Sequence, residues 1–483
     1  MKKFLTLTGL MLLVAATAMA GVGEDRLFVQ PNATFPTGSP ATTNNDDSCD
    51  ISVMPAATLL LPYFEVEINE EPSTALNTLF TIVNTSPLPQ IAHITLWTDW
   101  SYPVIDFNVF LTGYDVQGLS LYNIIARGDT IGIPPTSSST DEGIRSATND
   151  DNPAFLVDAV ATCAVLPGPI PTDLANAIKN ALSTGIYTGF CGSTSVGSNT
   201  PGLAKGYVTI DTARTCSQSL PTDGAYFASE IAFDNVLTGD YIRVNPDAGT
   251  GNFAGGTPLV HIRAIPDGYG EDDGGLDLPT NLPFTFYDRY TPLDRTRDRR
   301  QPLPGTFAAR YIAGEPFATE FAIWREGTTA TAGGVTLTCG SVAPNASIAF
   351  TEFVRFDESE NPTVRGGGIP ISPAPPTAGL PEASSVPAGS SVFPPFATGT
   401  TDNGGWIYMN LNNGYTGTNY SAPRRATHPG RSQNWVTVQM SAEGRYAVDF
   451  DATMLGNGCS PVPGTTTGAY GGNPIEPADD VTP

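Results

Sequence analysis

The chain is poor in positive charge and nearly devoid of histidine. Twenty-three Lys and Arg face 48 Asp and Glu, giving −25 over 483 residues, and there are three histidines. Such a surface repels phosphate backbones and anionic lipids, which argues against nucleic acid and charged membranes as partners. His93, His261 and His428 are too scattered for HExxH or for any pair within one helical turn, so a histidine zinc site is not indicated. No CxxC occurs, which removes zinc ribbons and thioredoxin-type redox pairs. The G-x-S-x-G elbow, the P-loop and the dinucleotide fingerprint are also missing. Beyond the first residues no apolar run approaches the ~20 residues of a membrane-spanning helix. No repeat of roughly 20–50 residues is visible, which argues against propellers and solenoids.

What is present begins with "MKKFLTLTGLMLLVAATAMA": two lysines, an apolar run from Phe4 to about Ala16, and Ala18-Met19-Ala20 as a small-x-small cleavage site. This predicts a signal peptide over 1–20, a mature chain from Gly21, and a secreted or periplasmic destination. Removing Lys2 and Lys3 takes the net charge from −25 to −27. The residue after the cut is Gly, not Cys, so no lipid anchor is indicated. Six cysteines, Cys49, Cys163, Cys191, Cys216, Cys339 and Cys459, form an even set in an exported chain and predict three disulfides. A short helical segment between Cys163 and Cys191 makes that pair the first expectation. It leaves Cys339–Cys459 and Cys49–Cys216.

Residues 21–48 are polar and aperiodic, as in a flexible leader. From Cys49 the chain alternates polar and apolar residues. "ATLLLPYFEVEI", "LFTIVNTS", "IAHITLWTD" and "IDFNVFLTGYDVQGLSL" read as consecutive strands with short turns, which predicts an antiparallel sheet. The clearest helix is "TDLANAIKNALSTG", capped by Thr172 or Asp173 and stopped at Gly185. Strand character returns in "GYVTIDTA", "EIAFDNVLTGDYIRV" and "PLVHIRAI". The acidic, Gly-rich stretch 266–283 marks a domain boundary. Beyond it lie more strands, a long Pro/Gly/Ser loop over 366–395, and a hairpin turning near Ser441–Gly444. The expected layout is a domain over 49–265 with a helical insertion near 172–184, a linker over 266–283, a second β-rich domain over 284–459 and a disordered tail over 460–483.

Candidate chemistry is thin. His93 and His261 alternate with their neighbours as members of sheet faces, and His428 lies in an Arg-rich loop. Trp97, Trp100 and Tyr102, with acids nearby, could stack on a sugar; the plainer reading is a sheet edge with core aromatics. Asp267, Glu271, Asp272, Asp273 and Asp277 share one Gly-rich loop that could supply oxygens to calcium, although the spacing is not that of an EF-hand and a solvated acidic turn is the plainer reading. Asp357, Glu358 and Glu360 form a weaker acidic group. Arg289, Arg295, Arg297, Arg299 and Arg300 interleave with Asp288, Asp294 and Asp298, as in a self-paired surface loop or a pocket for a carboxylate or sulfated ligand.

The segments "ATLLLPYFEVE", "LWTDWSYPVIDFNVFLTGYDVQ", "GYVTIDTARTCS", "NVLTGDYIRV" and "PLVHIRAIP" together resemble a group of exported bacterial proteins without assigned activity. The resemblance covers most of 49–330 and implies a recurrent extracellular module, with no catalytic residues to transfer. The sequence therefore predicts an all-β, antiparallel, sandwich-like fold with one minor helix and long loops. The expected function is a secreted, non-catalytic structural or binding role with an extracellular partner, no cofactor other than calcium, and no membrane insertion. The alternatives are a carbohydrate-binding or carbohydrate-active protein, and a secreted hydrolase of another type.

Overall fold

A computed structural model describes residues 51, 53–128, 170–215, 219–221, 223, 225–245, 252–264, 285–287, 290, 298, 300–314, 316–326, 339, 352–364, 381–396, 404–411, 433–442 and 446–455. The described residues form an all-β fold of antiparallel sheets with two helices. In chain order the first elements are β1 (Thr58–Glu67), β2 (Asn77–Asn84), β3 (Gln90–Thr98), β4 (Pro103–Leu111) and β5 (Val116–Ser120). Helices α1 (Leu121–Arg127) and α2 (Thr172–Thr184) follow. Next come β6 (Leu203–Ala213), β7 (Leu237–Thr238), β8 (Asp240–Asn245), β9 (Asn252–Pro258) and β10 (Val260–Ile262). The remainder comprises β11 (Thr306–Ile312), β12 (Phe317–Arg325), β13 (Glu352–Asp357), β14 (Pro362–Val364), β15 (Ala383–Pro387), β16 (Gly404–Asn410), β17 (Asn434–Ala442), β18 (Tyr446–Asp451) and β19 (Thr453–Met454).

Four sheets result. The central sheet has the order β10-β1-β6-β3-β4, and a flanking sheet the order β5-β2-β8-β9 with β7 on β2. The inner sheet of the second half is β15-β12-β17-β18, and the outer one is β14-β13-β16-β11-β19. The central sheet is buried on both faces, because period two sends alternate residues into two different cores. Ala92, Ile94, Leu96, Val208 and Ile210 face one core, shared with α1, α2 and Phe80 and Ile82 of the flanking sheet. Ile91, Trp97, Tyr207 and Ala213 face the other, shared with Phe286, Tyr287, Leu303 and Trp324. Pro62 interrupts β1 where its register with β6 shifts between Leu61 and Phe64, the place a sheet tolerates a missing donor.

Several expectations need correction. β2 and β3, consecutive in sequence, are not partners: β2 belongs to the flanking sheet and β3 to the central one. A second helix exists. Leu121, read as the end of a strand, instead starts α1, where the Ser120 hydroxyl accepts from the Asn123 N–H at 3.3 Å. α2 spans the expected residues, but Pro171 precedes it and no side chain caps it. Gly185 ends α2 at φ +70°, where a Cβ would meet the Gly197 carbonyl oxygen at 2.0 Å. Within the expected loop 366–395, Ala383–Pro387 form β15, paired to β12. The hairpin near Ser441–Gly444 is present as β17–β18. The linker 266–283 lies outside the described residues, as do the signal peptide, the leader and the tail. Side chains from both flanks of that linker share one core, from Leu60 and Tyr207 to Trp435 and Val438.

Candidate functional site

The residues singled out for sugar stacking divide. Trp97 is 1% exposed, sandwiched by Tyr207 (ring centroids 5.7 Å apart, planes within 3°) and Tyr290 (6.0 Å). Its Nε1–H donates to Thr209 Oγ1 at 2.9 Å. It presents no face to solvent, so any sugar contact is left to Trp100 and Tyr102, both partly exposed. Trp97, Tyr207, Phe286, Tyr287, Tyr290 and Trp324 line a void with room for about one water, too small for a sugar ring. The five calcium candidates Asp267, Glu271, Asp272, Asp273 and Asp277 lie outside the described residues, as does His428. Among the described residues no group of three or more His, Cys, Asp or Glu is placed to hold a metal. Asp357 instead closes its own turn, accepting from the N–H groups of Ser359 and Asn361, both at 2.9 Å.

The densest polar constellation was not visible in the sequence. It sits on the face of the central sheet that carries Trp97. Asp211 of β6 accepts from the hydroxyls of Tyr226 at 2.5 Å, Tyr287 at 2.8 Å and Thr58. Arg300 donates to the same carboxylate from Nε and Nη2, each at 3.1 Å, and pairs with Asp298 at 3.3 Å. Asp298 also accepts from the Tyr287 N–H at 2.8 Å. The Arg300 guanidinium lies over the rings of Phe233, Tyr287 and Phe227 at 5.3, 5.5 and 5.9 Å. The Arg/Asp stretch was expected to pair with itself on the surface. Arg300 and Asp298 do pair, but both are 0% exposed.

The electrostatics are those of a fully buried hub. Burial and the adjacent Asp211 push the hydroxyls of Tyr226 and Tyr287 well above their ordinary range. Burial alone would lower Arg300, but Asp211 and Asp298 raise it past its usual value. Burial raises Asp298, against the pull of Arg300. His93 lies directly across from Asp211 in the β3–β6 register. Its ring nitrogens nonetheless face Asn108 Oδ1 at 3.1 Å and Thr95 Oγ1 at 3.5 Å, and Tyr226 packs edge-on at 5.8 Å. Asp211 takes donors on both oxygens, the two tyrosine hydroxyls on Oδ2 and the Thr58 hydroxyl and Arg300 on Oδ1. The hub joins Thr58, Asp211 and Tyr226, which precede the 266–283 stretch, to Tyr287, Asp298 and Arg300, which follow it.

Two features reach the surface. Cys191 is bonded to Cys339, Cα atoms 5.2 Å apart, and this replaces the expected Cys163–Cys191 and Cys339–Cys459 pairs. The Tyr102 hydroxyl donates to Cys191 Sγ at 3.3 Å. Cys49, Cys163, Cys216 and Cys459 lie outside the described residues. The second feature is a tip made of two turns, 84–89 and 112–116. Asn84 ties them: its Nδ2 donates to the Leu88 and Thr112 carbonyls at 2.7 and 2.9 Å, and its Oδ1 accepts from Ser86 N–H at 3.0 Å. Asp115 accepts from the N–H groups of Thr112 and Val116 at 3.0 and 2.8 Å. Gly113 is pressed so closely to Pro87 that a Cβ would meet its carbonyl oxygen at 2.2 Å. This frame holds Leu88, Tyr114 and Val116 outward at 63%, 64% and 59% exposure. Tyr114 has φ +59°, a left-handed conformation unfavourable for an aromatic residue.

Comparison with protein families, with curated proteins and with solved structures finds no match to this chain.

Proposed function

We propose that the chain is an exported bacterial protein with a non-catalytic binding role, and that the tip of turns 84–89 and 112–116 is where it meets its partner. The observation that carries this reading is the cost of the tip. Two side-chain clamps and a residue held at positive φ are spent on keeping Leu88, Tyr114 and Val116 in water. Strain that persists where no core demands it is a marker of a functional surface. The tip exposes three large apolar side chains on a strongly acidic chain. The fitting partner is therefore a protein surface with an apolar pocket rather than an anionic lipid. The Cys191–Cys339 bond supports export, since such bonds persist in oxidising compartments. Saturation of Asp211 supports a structural rather than catalytic hub.

A photo-crosslinking residue placed at position 88 or 114, and at Asn176 of α2 as a control, tests the reading in cells that make the full chain. A discrete adduct at 88 and 114 that is lacking at 176 is expected. Leu88→Ser with Tyr114→Ser should abolish a crosslink from position 116 while leaving the melting temperature within about 2 °C. Equal labelling at all sites, or none above control, removes the tip as a docking surface.

A further inference from the structure

A second polar seam lies where the flanking sheet meets the inner sheet, away from both the hub and the tip. Strands β12, β17 and β18 set Glu320, Gln439 and Asp449 side by side in one row. The next row on the same face is Ala322, Thr437 and Asp451. Tyr241 and Arg243 of β8 face these rows, together with Tyr63 and Glu65 of β1. β9 runs alongside β18 and, like β15, carries no ionisable side chain. Lys205 of β6 pairs with Glu65 at 3.8 Å.

The acids here are not equally served. Glu65 accepts from the Tyr63 hydroxyl at 2.5 Å and Glu320 from the Ser385 hydroxyl at 3.0 Å. Asp451 accepts from Trp435 Nε1–H at 3.0 Å and the Thr437 hydroxyl at 3.2 Å. Both oxygens of Asp449 are buried and have no hydrogen-bond donor. Yet Arg243, 4% exposed, gives its Nη2–H to Gln439 Oε1, the neutral member of the row and the immediate cross-strand neighbour of Asp449. A buried carboxylate without donors, one residue from a guanidinium bonded to an amide, is an arrangement only a neutral Asp449 would tolerate.

We propose that this seam is a proton-operated latch, in which Arg243 rests on Gln439 while Asp449 is protonated and is drawn from Gln439 to Asp449 when that carboxyl ionises. Two discrete hydrogen-bonding states of one guanidinium, one on each of two adjacent residues, make a bistable element between sheets. Burial, with Glu320 and Asp451 close by, pushes Asp449 up to about 6, against the opposing pull of Arg243. Burial also pushes Asp451 up to about 6, against its bonds from Trp435 and Thr437. A carboxyl raised in this way binds its proton more tightly in the folded seam than in an opened one. The seam is thus firmest at low pH, weakens as pH rises from the ordinary 3.8 towards about 6, and is flat above. About two pH units of difference correspond to a change of up to ~100-fold in local opening.

Hydrogen exchange of β8 and β18 in the full chain between pH ~4 and ~8, corrected for intrinsic rates, reads this directly. Wild type is expected to lose protection roughly 10–100-fold as pH rises, and Asp449→Asn to lose clearly less, keeping only the part of the step that Asp451 contributes. Gln439→Leu, which removes the neutral resting place of Arg243, should move the midpoint to lower pH. Asp451→Asn should leave a smaller step in place, since Asp451 titrates in the same range and helps to raise Asp449. A flat wild-type profile, an unmoved midpoint in Gln439→Leu, or a step abolished by Asp451→Asn but not by Asp449→Asn overturns the latch. Because wild type and Gln439→Leu decide on their own, the test survives a poorly folding Asp449 variant.

Discussion

Asp211→Asn keeps the shape of the side chain and removes its charge, which makes it the most informative single change in the molecule. The native carboxylate takes two tyrosine hydroxyls on Oδ2, and the Thr58 hydroxyl and Arg300 on Oδ1. An amide can offer an acceptor to one of these pairs only; its NH₂ must face the other. Two buried donors then lose their partner at about 1–3 kcal/mol each, lessened if a hydroxyl rotates to accept. Arg300, 0% exposed, keeps Asp298 but loses the nearer half of its charge balance. Breaking a buried pair from one side costs roughly 3–5 kcal/mol, and the two estimates agree. Urea denaturation followed by tryptophan fluorescence measures it, since Trp97 and Trp324 border the void that Tyr287 lines. Adding Arg300→Met to Asp211→Asn removes the stranded charge. The double variant should therefore be more stable than the sum of the singles predicts, by about 1–3 kcal/mol. A loss below about 1 kcal/mol for Asp211→Asn, or strict additivity of the pair, would falsify the hub as the tie between the two halves.

Opening the Cys191–Cys339 bond by the double Ser substitution frees a loop with a sequence separation of 148, worth about 5 kcal/mol on the chain-entropy model; a melting temperature unchanged from the oxidised protein would refute that bond. Trp97→Ala should cost about 3–5 kcal/mol by leaving a cavity among Tyr207 and Tyr290, whereas Trp100→Ala should stay within about 1 kcal/mol; the reverse order in chemical denaturation would place Trp97 at the surface. Gly113→Ala drives a methyl into the Pro87 carbonyl and should cost about 1–3 kcal/mol, read as faster hydrogen exchange of Ser86 and Tyr114 relative to α2; unchanged exchange there would refute the close approach.

The sequence was a good guide to which residues are in strands and a poor one to which strands meet. Period two assigns a face, so β1, β3 and β4 were readable from alternation; it carries no information about partners. β2 and β3 lie in different sheets because the turn between them, with Pro87 and Pro89, changes layers instead of folding back. The seven residues of α1 follow a strand without a polar break, and seven residues do not display a helical period. β15 reads as loop because Ala383–Pro387 is rich in Ser and Pro; pairing to β12 makes it a strand. Asp211 escaped notice for a related reason. It alternates with Tyr207 and Thr209 as an outward-facing residue would, and the residues that cover it, Tyr226, Tyr287 and Arg300, come later in the chain. Proximity in sequence suggested Cys163–Cys191, yet closure entropy grows so slowly with length that a far partner is nearly as accessible as a near one. The exposed tip carried its own signal in the Asn84, Pro87 and Pro89 turn, but exposure of Leu88 could not be read from it.

The order in which these strands pair bears on how the chain reaches its native state. Thr58 in the first strand meets Asp211 across 153 residues and Arg300 across 242. At a synthesis rate of about 5–20 residues per second, β1 waits some 8–30 s for β6 and longer for the arginine that locks the assembly. Throughout that interval "TLLLPYFEVE" is an unpaired, greasy ribbon with two bare edges. Maturation should consequently be slow, governed by non-local closure, and dependent on something that shields the N-terminal segment until the middle of the chain has arrived.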